Sequence, residues 1–127
     1  MSGAVLDSSA LLAVINAEPG EDRVTEFLDG ALLSAVNYAE VVTKLVERGV
    51  DRDVARATVS KIGVQIVEFG PHLAERTGEL RTATRHLGLS LGDRACFALA
   101  ENEGLPAVTA DKKWAAANIG VEVILIR

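Results

Sequence analysis

Short apolar runs alternate with longer amphipathic stretches along this chain, and no other feature limits its possible folds so strongly. Ala4-Val5-Leu6 has the unbroken apolar character of a buried strand, and a helical stretch follows from Ser9 to about Asn16. Glu18-Pro19-Gly20 interrupts the chain before a second short helix, Glu21 to Asp29. Ala31-Leu32-Leu33-Ser34 reads as the second strand and Val36 to Arg48 as a helix. Asp51 caps a further helix reaching about Ile62, and the run Gln65 to Phe69 forms a third, β-branched strand. Pro71 opens a long helix to about His86, since proline suits the first helical position. Ser90 caps a helix from Leu91 to about Asn102 that Gly104 ends. Pro106 to Thr109 is the fourth strand, Lys112 to Asn118 a short helix, and Val121 to Ile126 the fifth strand. Strands alternating with helices predict a three-layer α/β/α sandwich around a central, mostly parallel five-stranded sheet. The continuous apolar runs at 4–6 and 121–126 predict strands covered on both faces.

A chain of 127 residues is long enough for one domain with a true core, and a single domain over 1–127 is expected. Aromatic residues make up only 4%, so Val, Leu, Ile and Ala must fill that core. Trp114 is expected inside it, and Cys96, on an apolar helix face, is expected as a small buried hydrophobe. A lone cysteine forms no internal disulfide framework, which fits a reducing cytosol. No apolar run approaches the ~20 residues that span a bilayer. The start, Met1-Ser2-Gly3-Ala4, lacks the basic-then-apolar pattern of a signal peptide. The expectation is a cytoplasmic protein with no membrane segment.

The formal charge of −5 counts against a simple nucleic-acid-binding module, which holds phosphates through a basic surface. A metal-dependent nuclease escapes that argument, because its acids bind cations and the cations face the phosphates.

In open parallel sheets, ligands bind at the carboxyl ends of the strands, where strand order reverses. Asp7 directly follows the first strand, and Asp111 lies just past the end of the fourth. Glu40 sits early in the helix after the second strand, and Asp93 in the first turn of the helix before the fourth. Each acid alone has a local explanation. Asp7 and Asp111 would serve as caps, Glu40 would pair with Lys44, and Ser90-Leu91-Gly92-Asp93 matches a capping box. Together, these acids at one sheet edge would repel one another unless a cation neutralises them. A hard dication such as Mg²⁺ prefers oxygen ligands and keeps several waters, so few carboxylates need touch it. With such ions the site would activate a water for attack on a phosphodiester and stabilise the leaving oxygen. His72 and His86 are expected on helix surfaces, and the chain lacks the cysteines of a zinc site.

The sequence resembles PIN domains, in the order and spacing of the VapC branch of bacterial toxin–antitoxin pairs. Asp7-Ser8-Ser9 after the opening strand, Asn37-Tyr38-Ala39-Glu40, Leu91-Gly92-Asp93-Arg94 and Thr109-Ala110-Asp111 carry the resemblance, which covers essentially the whole chain. It implies an endoribonuclease toxin whose Asp7, Glu40, Asp93 and Asp111 are both the catalytic and the metal-site residues, with Mg²⁺ or Mn²⁺ as cofactor. Ser8 or Ser9, Asn37 and Thr109 would be supporting polar residues. It further implies a homodimer held in check by an antitoxin protein, and a groove between the early helices would seat an antitoxin helix. Arg94, Lys112, Lys113 and Arg85, with Arg81 beyond them, are candidates for contact with flanking RNA phosphates.

Rivals from other classes meet specific obstacles. A phosphoacceptor signalling domain needs an acid at the end of the third strand, where Phe69 stands. An aspartate-nucleophile phosphohydrolase needs a second aspartate at the position of Ser9. A non-catalytic PIN-like binding module has no use for four crowded acids. A metal-dependent DNA nuclease shares the chemistry, although such enzymes usually carry larger insertions than this compact chain.

Overall fold

A computed structural model describes residues 3–127. Of the expected features, the leader-free start at Met1-Ser2 lies outside the described residues. The strands are β1 (Val5–Leu6), β2 (Leu32–Ser34), β3 (Gln65–Val67), β4 (Ala107–Thr109) and β5 (Val123–Leu125). The helices are α1 (Ser8–Ile15), α2 (Glu21–Thr25), α3 (Ala35–Glu47), α4 (Arg52–Ile62), α5 (Pro71–Thr84) and α6 (Leu91–Glu103). Two 3-10 turns, Arg85–Leu87 and Lys112–Ala116, follow α5 and β4.

The sheet has the order β3-β2-β1-β4-β5, and every pairing in it is parallel. The expected α/β/α sandwich is therefore present, with a wholly rather than mostly parallel sheet. Register sorts the side chains into two cores, because successive strand residues point to opposite faces. Leu6 is level with Leu33 and Val108, and all three enter the core that α1, α2, α3 and α4 cover. Val5 is level with Leu32 and Ala107, and these face the core beneath α5 and α6. Trp114 is fully buried in that second core, its ring centroid 4.5 Å from that of Phe97, and Cys96 is buried beside them.

The differences from the sequence expectation lie at element ends. The second helix stops at Thr25 instead of Asp29, and the turn after Thr84 tightens to 3-10 before Gly88 takes a left-handed conformation. The segment after Asp111 is likewise 3-10 and ends at Ala116. The fifth strand is only half-buried, not covered on both faces as its apolar run predicted, because as an edge strand it has a neighbour on one side only. Among the described residues, no helix is long and apolar enough to cross a membrane.

Strand order reverses between β1 and β4. The chain builds outward from β1 through β2 to β3, then returns to the other side of β1 to lay down β4 and β5. The crevice at the carboxyl ends of β1 and β4 is thus the place where this architecture holds ligands.

Candidate active site

Asp7 and Asp111 flank that crevice, one just past each of its strands. Asp7 is 4% exposed and caps α1, its Oδ1 accepting from the Ala10 amide at 2.9 Å and from the Ser9 hydroxyl at 2.7 Å. Its Oδ2 accepts from the Thr109 hydroxyl at 2.6 Å, across 102 residues of sequence. Ser9 Oγ in turn accepts from the Ala110 amide at 2.9 Å, so the two strand ends are stitched together by side chains. Burial pushes the Asp7 carboxyl up to about 6, against the pull of these hydrogen bonds, and repulsion from Asp93 adds to the rise. Ser9 is therefore the serine that braces Asp7. Ser8 lines a neighbouring open cleft of about 460 Å³ together with Leu12, Val36, Glu40, Lys44 and Leu91.

Ser34 caps α3, which places Asn37 and Glu40 in its first two turns. The Asn37 amide nitrogen donates to Glu40 Oε1 at 2.9 Å and to the Gly92 carbonyl at 3.1 Å. Glu40 forms no ion pair with Lys44 among the described residues; its carboxylate rests against the start of α6 instead. The capping box read from Ser90 and Asp93 is complete, with Asp93 Oδ2 accepting from the Ser90 amide at 2.9 Å and Ser90 Oγ from the Asp93 amide at 3.1 Å. Asp93 Oδ1 takes no hydrogen bond among the described residues. The Glu40 carboxylate lies against Gly92, the neighbour of Asp93, so these two acids meet at the start of α6.

Asp111 stands apart. It caps the 3-10 turn through Lys113, whose amide donates to Oδ1 at 3.0 Å and whose ammonium lies 3.8 Å from Oδ2. Its own amide donates to Thr109 Oγ1 at 3.0 Å, which links it to Asp7 through one hydroxyl.

The donor set is all carboxylate and hydroxyl oxygen, the chemistry of a hard dication. Among the described residues, no three acids close into a cage that would hold a metal on their own.

The basic candidates divide. Arg85, Lys112 and Lys113 are exposed on the two 3-10 turns, which pack against each other. Arg81 is exposed near the end of α5. Arg94, by contrast, donates to the carbonyls of Thr77 at 2.9 Å and Leu89 at 3.4 Å. Its guanidinium ties α6 to α5, a structural use that the neighbouring acid gave no hint of. Gly92 is the other residue whose part the sequence left unassigned, although it stands inside the quoted Leu91-Gly92-Asp93-Arg94 run.

The model of the PIN domain family matches residues 4–119. No curated protein matches the sequence at a significant level. Among solved structures, the DNA-bound VapBC of Salmonella typhimurium aligns with a TM-score of 0.77 at 17% identity, covering all of both chains. VapC20 of Mycobacterium tuberculosis, a sarcin–ricin loop cleaving toxin, aligns at 0.72 and 21% identity over 94% of this chain and 98% of that one. VapBC-5 of the same organism aligns at 0.67 and 24% identity, covering 98% of this chain and 99% of that one. At these identities the likeness is one of fold, whereas the family match rests on the sequence of nearly the whole chain: this protein belongs to the PIN domain family.

Proposed function

We propose that this chain, acting as one unit over 1–127, is a Mg²⁺- or Mn²⁺-dependent endoribonuclease of the VapC type, the toxin of a cytoplasmic toxin–antitoxin pair. The observation that carries the reading is the joining of Asp7 and Asp111 through the Thr109 hydroxyl beside the β1/β4 switch, with Glu40 against Gly92, next to Asp93, at the start of α6. The family membership and the fold likeness to VapBC complexes support it.

Asp7, Glu40, Asp93 and Asp111 would together hold the ion. When bound, it would supply the Lewis acidity that deprotonates a water and stabilises the leaving oxygen of a phosphodiester. The chain's own contribution is orientation. Three donors fix the Asp7 carboxylate, one amide fixes Glu40, and the helix cap fixes Asp93, so the acids reorganise little when substrate arrives. Exposed Arg85, Lys112 and Lys113 would take flanking phosphates, steering RNA towards an acidic centre that would otherwise repel it. Arg94 is set aside for that part, since its guanidinium is engaged by carbonyls.

An antitoxin helix would lie in the groove between α3 and α4, floored by Ala35, Tyr38, Ala39 and Val42 with Arg52 and Arg56 at its rim. A homodimer is part of the same proposal.

The test is cleavage of an RNA panel that includes intact transfer RNA, with Mg²⁺ or Mn²⁺, with EDTA, and with Asp93→Asn alongside. Discrete fragments that need metal and vanish in the variant are expected. Metal binding without RNA cleavage would redirect the assignment to a DNA nuclease. Neither binding nor cleavage would leave a non-catalytic PIN-like module.

A further inference from the structure

Gly92 lies in the first turn of α6, in ordinary helical backbone, so nothing about its conformation calls for glycine. Glycine weakens a helix relative to alanine, and its presence here needs a different cause. The cause is on the facing helix. A Cβ on Gly92 would lie 2.6 Å from Cδ of Glu40 and 2.7 Å from its Oε1, closer than real Cβ contacts come. The Glu40 carboxylate occupies the place where a side chain would be.

Asn37 closes the same arrangement from the α3 side. It is 1% exposed, and its amide nitrogen bridges Glu40 Oε1 and the Gly92 carbonyl. Among the described residues, its Oδ1 is buried without a partner. Turning the amide over would set that oxygen against a carboxylate and a carbonyl, so the orientation with two donations is fixed even though it orphans an acceptor. A buried acceptor without a partner is costly. The cost is tolerated where the two donations hold something in place.

We infer that Asn37 and Gly92 are positioning residues that together form a seat for the Glu40 carboxylate, locking α3 to the turn of α6 that carries Asp93. Neither residue touches the reacting atoms. Their effect runs through Glu40: the missing Cβ lets its carboxylate reach α6, and the bridging amide holds it there. The inference rests on the metal-dependent reading of the site for its consequence, but the seat itself is a matter of packing.

The first measurement is thermal unfolding of the full, metal-free chain as wild type, Gly92→Ala, Glu40→Ala and the double variant. Gly92→Ala is expected to lower the melting temperature when Glu40 is present, because the carboxylate that must give way is held by the Asn37 amide. With Glu40→Ala the same change is expected to be neutral or stabilising, because alanine is the better helix former. An equal loss in both backgrounds overturns the seat. The second measurement is Mn²⁺ binding by electron paramagnetic resonance, with Asn37→Ala expected to weaken binding tenfold or more while remaining folded. If Asn37→Ala melts lower yet binds Mn²⁺ as tightly as wild type, the positioning role is overturned and the residue is merely structural. If wild type binds no Mn²⁺, the proposed function fails, and the melting cycle still decides whether the seat exists.

Discussion

Asp7 and Asp111 occupy matching places, each just past the end of a central strand, yet they live under opposite physics. Asp7 is nearly excluded from water and held by two hydroxyls and an amide. Asp111 is half-buried and answers to its own turn, with the Lys113 ammonium nearby. Burial disfavours the charged form of Asp7, whereas Asp111 is open to water with a lysine beside it. The inner acid thus stores unfavourable charge that a cation would relieve. Asp93 lies between these extremes, capped into α6 but close enough to add to the rise at Asp7.

The largest effect expected from this contrast is on activity. Asp93→Asn retains an oxygen for the Ser90 amide, so the cap survives while the charge is lost. RNA cleavage should fall by more than the roughly 10–100-fold that loss of a mere supporting partner costs. The metal-free melting temperature should hold or rise, because repulsion with Asp7 is relieved. A variant that cleaves normally would break the contrast between an inner and an outer site.

The next effect is on stability against pH. The folded-state value of Asp7 lies at about 6, above its ordinary 3.8. An acid raised in the folded state favours folding when protonated, so its contribution is complete below the unfolded value and is lost as pH rises through about 6. The displacement is worth about 3 kcal/mol. Metal-free urea unfolding from pH 4 to 7.5 should show wild type losing stability relative to Asp7→Asn over that window. Millimolar Mg²⁺ should restore stability at the upper end, by binding the folded state alone. A difference between the two proteins that does not vary with pH would remove the argument from burial.

Thr109→Val sharpens the comparison further. It deletes the 2.6 Å bond to Asp7 Oδ2 and the acceptor for the Asp111 amide, at a fully buried position. A cost of about 1–3 kcal/mol is expected, together with a further rise in the Asp7 titration followed by NMR. An unchanged Asp7 titration would show that the hydroxyl does not hold the carboxylate.

The smallest effect belongs to the outer edge. Lys113→Ala removes an exposed partner of Asp111 and should change stability by less than about 1 kcal/mol. Its signature would be weaker RNA binding, with the salt dependence reduced by roughly one phosphate contact. An unaltered salt slope would return Lys113 to the solvated surface.

Much of this site was legible locally. The cap at Asp7, the capping box at Ser90 and Asp93, and the cap at Asp111 all follow from residue types one to three positions apart, and all are present. Those local readings did not compete with the functional one. A carboxylate pinned by its own helix start is a carboxylate with a defined orientation. The alternative local reading of Glu40, a pair with Lys44, is absent among the described residues, where Asn37 donates to the carboxylate and Gly92 leaves room for it. Arg94 beside Asp93 invited a phosphate-binding reading, and only the packing of α6 on α5 put its guanidinium on carbonyls.

The sequence by itself determined the layered fold, the sheet covered on both faces and the helix caps at the acids, because apolar periodicity and capping chemistry act over a few residues and are written in adjacent letters. Which serine braces Asp7, where Arg94 spends its donors and why position 92 is glycine were decided by tertiary structure alone. The Arg94 bond to Thr77 spans 17 residues and the Asn37 bond to Gly92 spans 55, while Ser9, two residues from Asp7, is set by the Ala110 amide 101 residues away. Such contacts exist only once the parallel sheet has brought distant strand ends into one crevice.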